Sequence, residues 1–267
     1  MTGAGRLRLL ASDMYPWRQL RTALFWLLGA ELVSLLAAVI FGFAIGLSRS
    51  MAHGGMAWNP NPLLDSLVHM LALQVTILLG SLRESRRLGI SARPMQRKGL
   101  VCALAGLAAS WVLAYFGLIL HVKSVRNFVL HEDVPPALIL PDHTSPQLIV
   151  LWLTIIVVLA PLAEEWFFRG WLWTALRQAW SVWPTAICTS TLWLAMHALE
   201  GPTRVLVLLP AATLLCLARH YGASARASLV VHIVNNATAG AIQLALIYLQ
   251  THPVGTGIGA APDIRMV

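Results

Sequence analysis

The chain is short of charged residues, and this scarcity argues against a soluble fold. Only 11% of its 267 residues are Asp, Glu, Lys or Arg, whereas 58% are hydrophobic. Soluble domains carry roughly 25% charged residues. The composition is therefore typical of a polytopic membrane protein, and we expect an all-α transmembrane helical bundle of about seven to eight spans.

Acidic residues and cysteines are scarce as well. The chain has 19 basic and 11 acidic residues, which gives a formal charge of +8. In a membrane protein such an excess holds loops against the cytoplasmic leaflet, so we expect no nucleic-acid partner. Cys102, Cys188 and Cys216 form no CxxC pair, which argues against a disulfide framework or a zinc ribbon.

Long apolar runs supply the candidate spans, because crossing a bilayer takes about 20 mostly apolar residues. Seven runs qualify, and the fifth and sixth are short. They cover residues 23–47, 62–82, 99–122, 147–176, 184–199, 203–217 and 227–250.

The basic residues between these spans predict an orientation. With seven alternating spans, four basic segments fall on one side of the membrane: Arg6, Arg8, Arg18 and Arg21; Arg83, Arg86, Arg87, Arg93, Arg97 and Lys98; Arg177; and Arg219 and Arg226. The positive-inside rule then predicts a cytoplasmic N-terminus and an outside C-terminus.

The chain shows no internal repeat and no composition shift that would indicate a soluble domain. We expect a single integral membrane domain over 1–267. Residues 1–146 hold the N-terminal spans without motifs, and residues 147–250 hold the spans that carry EExxxR, WxxxH and HxxxN. The segment from Lys123 to Pro146 is a loop whose helical content the sequence leaves open.

Three charges interrupt the fourth span in the stretch "APLAEEWFFRG". Glu165 and Arg169 are four residues apart, the spacing at which helical side chains meet, so we expect them to pair. Glu164 points elsewhere, because successive helix residues are about 100° apart. It therefore needs a partner from another helix or must be protonated, and an intramembrane acid of this kind is a functional candidate.

Later spans supply polar groups at a similar depth. Glu164 and His197 both lie roughly 18–20 Å from the cytoplasmic loops at 1.5 Å per residue, and Asn236 lies about 15 Å from them. His232 is four residues before Asn236 and shares its face. The four groups can therefore converge in one layer of the bundle.

Ionisable residues also occur in the first two spans. Glu31 is expected to be protonated or to face the bundle, and Asp65 and His69 are not assigned to the site. Glu31 has no assigned partner, and Asp65 and His69 are expected to pair with each other because they are four residues apart.

Such a set of groups is suited to hydrolysis. A carboxylate and an imidazole can take a proton from water and deliver it later. A second imidazole and an amide can donate hydrogen bonds to a developing oxyanion. The pattern therefore indicates amide hydrolysis that needs no metal and no acyl-enzyme.

Three ordered motifs carry a family resemblance over the C-terminal half. The stretches "EEWFFR" (164–169), "WLAMH" (193–197) and "HIVNN" (232–236) match EExxxR, an aromatic-xxx-His segment and HxxxN. In this order on late membrane helices they resemble the CAAX protease and bacteriocin-processing group of intramembrane glutamic endopeptidases.

The resemblance implies a role for each residue. Glu164 and His197 would activate the water, and His232 and Asn236 would bind the oxyanion. Glu165 and Arg169 would support the site. Trp193 stands where the family usually has Phe, and we expect it to keep the packing role of a large aromatic.

The resemblance also implies partners. The substrate would be a membrane-associated peptide or protein within the lipid bilayer, without a cofactor, and the family alone does not say whether it is prenylated. The short loops favour a bacterial inner membrane.

Two other functions fit part of the pattern. Glu164, His197 and His232 could hold zinc with one open position, although the chain has no HExxH motif. A membrane scaffold or immunity protein could keep the polar cluster for binding specificity. A transporter fits less well, because its polar residues would follow a path across the membrane.

Overall fold

The structure is a computed structural model that describes residues 16–53, 62–91, 93–119, 144–198 and 201–251. Two subjects of the sequence analysis lie outside these ranges. They are the arginines at 6 and 8 and all but the last three residues of the Lys123–Pro146 loop.

Seven helices follow one another through the described residues, and no strand occurs among them. The all-α fold is therefore confirmed, and each of the seven apolar runs overlaps one helix. In chain order the helices are α1 (Pro16–His53), α2 (Pro62–Leu88), α3 (Arg97–Ile119), α4 (Pro146–Leu176), α5 (Val182–His197), α6 (Pro202–Tyr221) and α7 (Ala225–Thr251).

Four stretches of helix in the described residues are long and apolar enough to cross a membrane: Pro16–Ser48, Leu63–Leu88, Pro146–Leu176 and Arg204–Tyr221. The count of seven to eight spans is therefore not confirmed. Helix α5 has 16 residues, fewer than the roughly 20 that a perpendicular span needs.

Helix α4 is wound irregularly around the motif that it carries. Two π-helical segments, Thr154–Leu159 and Glu165–Leu172, lie on either side of a short α-helical segment, Ala160–Glu164. Pro161 lies inside this region and has no N–H to donate. Segments of π-helix are frequent at functional sites, since they free backbone groups and re-aim side chains.

Small residues let the helices approach closely around a common core. A Cβ added to Gly80 of α2 would lie 2.5 Å from the ring of Trp26 in α1. One added to Gly99 of α3 would clash with the backbone of Tyr221 at the end of α6. The buried core that results includes Ala23 of α1, Phe167 of α4 and Val231 of α7. The first, fourth and last helices therefore share one hydrophobic cluster.

Candidate functional site

A cavity of about 620 Å³ opens between the helices. All seven described helices contribute to its lining, which is mostly apolar. The polar lining residues are Glu31, Asp65, Ser66, His69, Gln74, Glu164, Trp193, His197, Arg204, His232, Asn235 and Asn236.

Glu164 lies in the wall of this cavity, and its carboxylate is held from two helices. The side-chain amide of Gln74 in α2 donates to its Oε1 at 3.1 Å, and the indole N–H of Trp193 in α5 donates to its Oε2 at 2.6 Å. The side chain is buried, with 5% of the residue exposed. Each carboxylate oxygen therefore has a fixed direction, which a catalytic carboxylate requires.

Glu165 and Arg169 form the expected ion pair. Nη1 of Arg169 donates to Oε1 of Glu165 at 3.1 Å, and neither residue is more than 1% exposed. The guanidinium also lies 5.3 Å from the ring centroid of Trp193, a distance at which a cation is attracted to an aromatic face. Neither Glu165 nor Arg169 lines the cavity, so the pair lies behind it.

His232 lies between the two acids. Its Nδ1 is 3.0 Å from Oε1 of Glu165, and its Nε2 is 3.9 Å from Oε2 of Glu164. Because a carboxylate oxygen accepts, Nδ1 is the donor of the shorter contact. Glu165 thus orients the ring so that Nε2 faces the cavity side of Glu164.

The orientation of His197 is fixed by its own helix. Its Nδ1 lies 2.9 Å from the backbone carbonyl of Trp193 one turn earlier, and a carbonyl only accepts, so Nδ1 carries the proton. In the neutral ring Nε2 then holds a lone pair. The rings of Trp193 and His197 pack with centroids 4.5 Å apart, and the same indole bonds Glu164, so Trp193 links the two residues.

Asn236 is oriented by the irregular winding of α4. Its amide donates to the carbonyl of Ile156 at 2.8 Å. In π-helical winding that carbonyl would pair with the N–H five residues on, which Pro161 lacks. Asn235 donates to the amide oxygen of Asn236 at 3.1 Å. One N–H of Asn236 is thus engaged, and the amide has a second.

The residues of the three motifs therefore separate into two layers. Glu164, His197, His232 and Asn236 share one cavity, as the depth estimate anticipated. Glu165 and Arg169 lie behind it and support the imidazole of His232.

Two contributions were missed by sequence reasoning. Gln74 was not singled out, yet its amide contacts Glu164, and its own Oε1 is buried without a hydrogen-bond partner among the described residues. Trp193 was expected to act through packing alone, whereas its indole N–H also donates to the carboxylate. The only signal for Gln74 was a lone amide within an apolar run.

The interpretation of the first two spans was also wrong in part. Nε2 of His69 lies 3.7 Å from Oε2 of Glu31, so the partner of His69 in the structure is on α1 and not Asp65. All three residues line the same cavity as Glu164. Their distance from the motifs along the chain concealed this proximity.

The geometry bears on the zinc alternative for Glu164, His197 and His232. Within the ranges that the structure describes, no three His, Cys, Asp or Glu side chains gather as a metal-ion site would require.

Comparison with known proteins gives one match. Residues 146–238 match the sequence profile of a family described as "Type II CAAX prenyl endopeptidase Rce1-like". The match covers α4, α5 and α6 and the part of α7 that carries His232 and Asn236. No curated protein and no solved structure matches the chain.

Proposed function

We propose that this chain, whose residues 146–238 match the Rce1-like family of CAAX endopeptidases, is an integral membrane protease. It hydrolyses a peptide bond with a water activated by Glu164 and His197. The observation that carries the proposal is the cavity lined jointly by these two residues, His232 and Asn236. The substrate is a membrane-associated peptide or protein.

The first step is deprotonation of the water. The carboxylate of Glu164 accepts hydrogen bonds from the N–H groups of Gln74 and Trp193, and in its ionised form it can take a proton from the water. The lone pair on Nε2 of His197 accepts a hydrogen bond from the same water and orients it, and the proton taken by Glu164 then passes to the leaving amine, which restores the carboxylate. Glu164 therefore acts as base and then as acid in one turnover.

The second requirement is stabilisation of the oxyanion that forms when the water attacks. When both ring nitrogens of His232 carry a proton, Nδ1–H donates to Glu165 and Nε2–H can donate to a group in the cavity. The free N–H of the Asn236 amide would be the second donor.

The cavity also indicates how a substrate would be bound. Its lining is mostly apolar, and its polar residues include both the catalytic set and the group Glu31, Asp65 and His69. A peptide can therefore place its scissile carbonyl against polar groups while apolar side chains or a lipid anchor occupy the rest.

The proposal is tested with purified protein in liposomes and a matched pair of peptides. Both end in the same C-a-a-X sequence, and one carries a farnesyl group on its cysteine. Mass spectrometry should detect release of the terminal tripeptide from at least the farnesylated peptide, because the cavity accepts an apolar anchor. A protein that cleaves neither peptide, nor any membrane-anchored peptide in a library, would be a scaffold.

Removal of metal provides a second test. Because the proposed steps use only side chains of this chain, we expect the rate to be unchanged after dialysis against a strong chelator. Metal analysis of the active protein is the control. A loss of activity that zinc alone restores would favour the metalloprotease alternative.

The role of Gln74 gives a third prediction. In Gln74→Met the side chain keeps its length and loses the N–H that holds Oε1 of Glu164. We expect kcat to fall about 10-fold with little change in KM, because one hydrogen bond to a charged group is lost. Gln243→Met is the matched control, since Gln243 is a buried glutamine outside the cavity lining. Equal effects of the two substitutions would remove Gln74 from the site.

A further inference from the structure

A second cavity, which we call the basic cavity, lies beside the C-terminal part of α4. Its volume is about 200 Å³, and it is bounded by the end of α2, the segment after it, the C-terminal part of α4, the end of α6 and the start of α7. These are the helix ends that the basic loops predict to be cytoplasmic. Its charged lining residues are Arg93, Arg219 and Arg226, and no Asp or Glu is found among the described residues that line it.

Three guanidinium groups around one small cavity repel one another, so the arrangement is favourable only when a negative charge compensates them. The nearby carboxylates are engaged elsewhere. Oε2 of Glu84 accepts from Arg87 at 2.7 Å, and Oε1 of Glu165 accepts from Arg169. No carboxylate of the described residues lines the cavity, so an anion bound there would lower the repulsion.

A buried hydroxyl in the basic cavity also lacks a partner. Ser85 is 5% exposed, and its Oγ has no hydrogen bond within the described residues, although it belongs to the lining. Leaving such a group unsatisfied costs about 1–3 kcal/mol. A bound acceptor toward which the Ser85 hydroxyl turns would remove this cost.

Hydrogen bonds hold the guanidinium of Arg219 and the backbone of Arg93 in position. Nε of Arg219 donates to the backbone carbonyl of Arg169 at 2.6 Å, and its Nη2 donates to Oγ1 of Thr174 at 3.3 Å. Ser224, just before α7, donates to the carbonyl of Arg93 at 2.8 Å and so ties that segment to the helix start. The first residues of the 27-residue helix α7 complete the lining, and a helix N-terminus attracts anions.

We infer that the basic cavity binds a phosphate group, carried either by an anionic lipid headgroup or by free phosphate. Guanidinium groups bind phosphate oxygens in pairs of hydrogen bonds, and basic recesses between helices on the cytoplasmic side suit lipid headgroups. The positive-inside rule would explain exposed basic residues on this side of the membrane. It does not explain why hydrogen bonds hold the guanidinium of Arg219 or why the hydroxyl of Ser85 is unpaired. The inference concerns a different site from the proposed hydrolysis and does not depend on it.

Thermal unfolding of the full chain in a neutral detergent tests the inference with two probes. The first is phosphatidylglycerol, with phosphatidylcholine as the uncharged reference. The second is inorganic phosphate, with chloride at the same ionic strength as the reference. A ligand at about 100 times its Kd should raise the Tm by about 5 °C. A rise with the lipid alone identifies a headgroup site, and a rise with both probes identifies a site for phosphate itself.

Matched variants separate this site from general basicity. Arg93→Gln combined with Arg226→Gln should abolish the rise, because it removes two exposed cations from the rim. Arg86→Gln should preserve it, since Arg86 is exposed on the same side but does not line the cavity. Ser85→Ala should leave the Tm without phosphate unchanged or higher, and should reduce the rise. No rise with either probe, or equal rises in all variants, would overturn the inference.

Discussion

Replacing Glu164 with Gln is expected to lower kcat for peptide hydrolysis by about 10³-fold, within the range attributed to a general base. The amide has nearly the same shape as the carboxylate but cannot take a proton from water. Its oxygen can still accept the 2.6 Å hydrogen bond from Trp193, so the cavity keeps its form and KM should change little. The measurement is the initial rate of product release in liposomes, with protein concentration determined for each variant.

Glu84→Gln is the matched control for this prediction. Glu84 is also a buried acid in a membrane helix, with 3% of the residue exposed, and it is bonded to Arg87 outside the large cavity. It should therefore retain the rate of the unmodified protein. If both substitutions lower the rate equally, the loss reflects folding and Glu164 has no special part in the reaction.

Replacing Arg169 with Leu is expected to destabilise the fold by about 3–5 kcal/mol, the usual cost of breaking a buried ion pair on one side. Arg169 is fully buried and donates to Glu165, so its removal leaves a carboxylate without its cation. A much lower Tm in detergent, together with a reduced yield of folded protein, would show this.

A second substitution tests the cause. With Glu165→Gln added to Arg169→Leu, the unpaired charge is gone and part of the stability should return. Activity should stay low, because the amide oxygen of Gln is a weaker partner than the carboxylate for Nδ1 of His232. If Arg169→Leu unfolds at the temperature of the unmodified protein, the pair contributes little to the fold.

Local spacing was enough to predict part of the site. The contact between Glu165 and Arg169 follows from a four-residue separation on one helix. The need of Glu164 for partners on other helices follows from the cost of an isolated acid in a membrane. Both predictions are confirmed by the contacts of these side chains.

Contacts between distant helices were not predictable in the same way. Whether Gln74 or its neighbours faces Glu164 depends on the rotation of α2 about its axis, and an apolar helix has little periodicity to reveal that rotation. The same reason applies to Glu31 and His69. Trp193 was misjudged because its size suggested packing, while the use of its N–H depended on the position of α4.

Backbone irregularity was a further limit. Pro161 could be recognised as a helix-disturbing residue, but its consequence is a carbonyl at Ile156 that Asn236 satisfies from another helix. The number of spans also depends on tilt and on helix ends, which hydropathy does not determine. Four candidate spans in the described residues, against seven apolar runs in the sequence, illustrate the difference.

The proposed hydrolysis requires one water between Glu164 and His197. The most direct test is an experimental structure of the unmodified protein in lipid, at a resolution that shows ordered water. We expect a water within about 2.6–3.2 Å of both a carboxylate oxygen of Glu164 and Nε2 of His197. A cavity filled by lipid tails at this point, or a separation too wide for a single water to bridge, would contradict it.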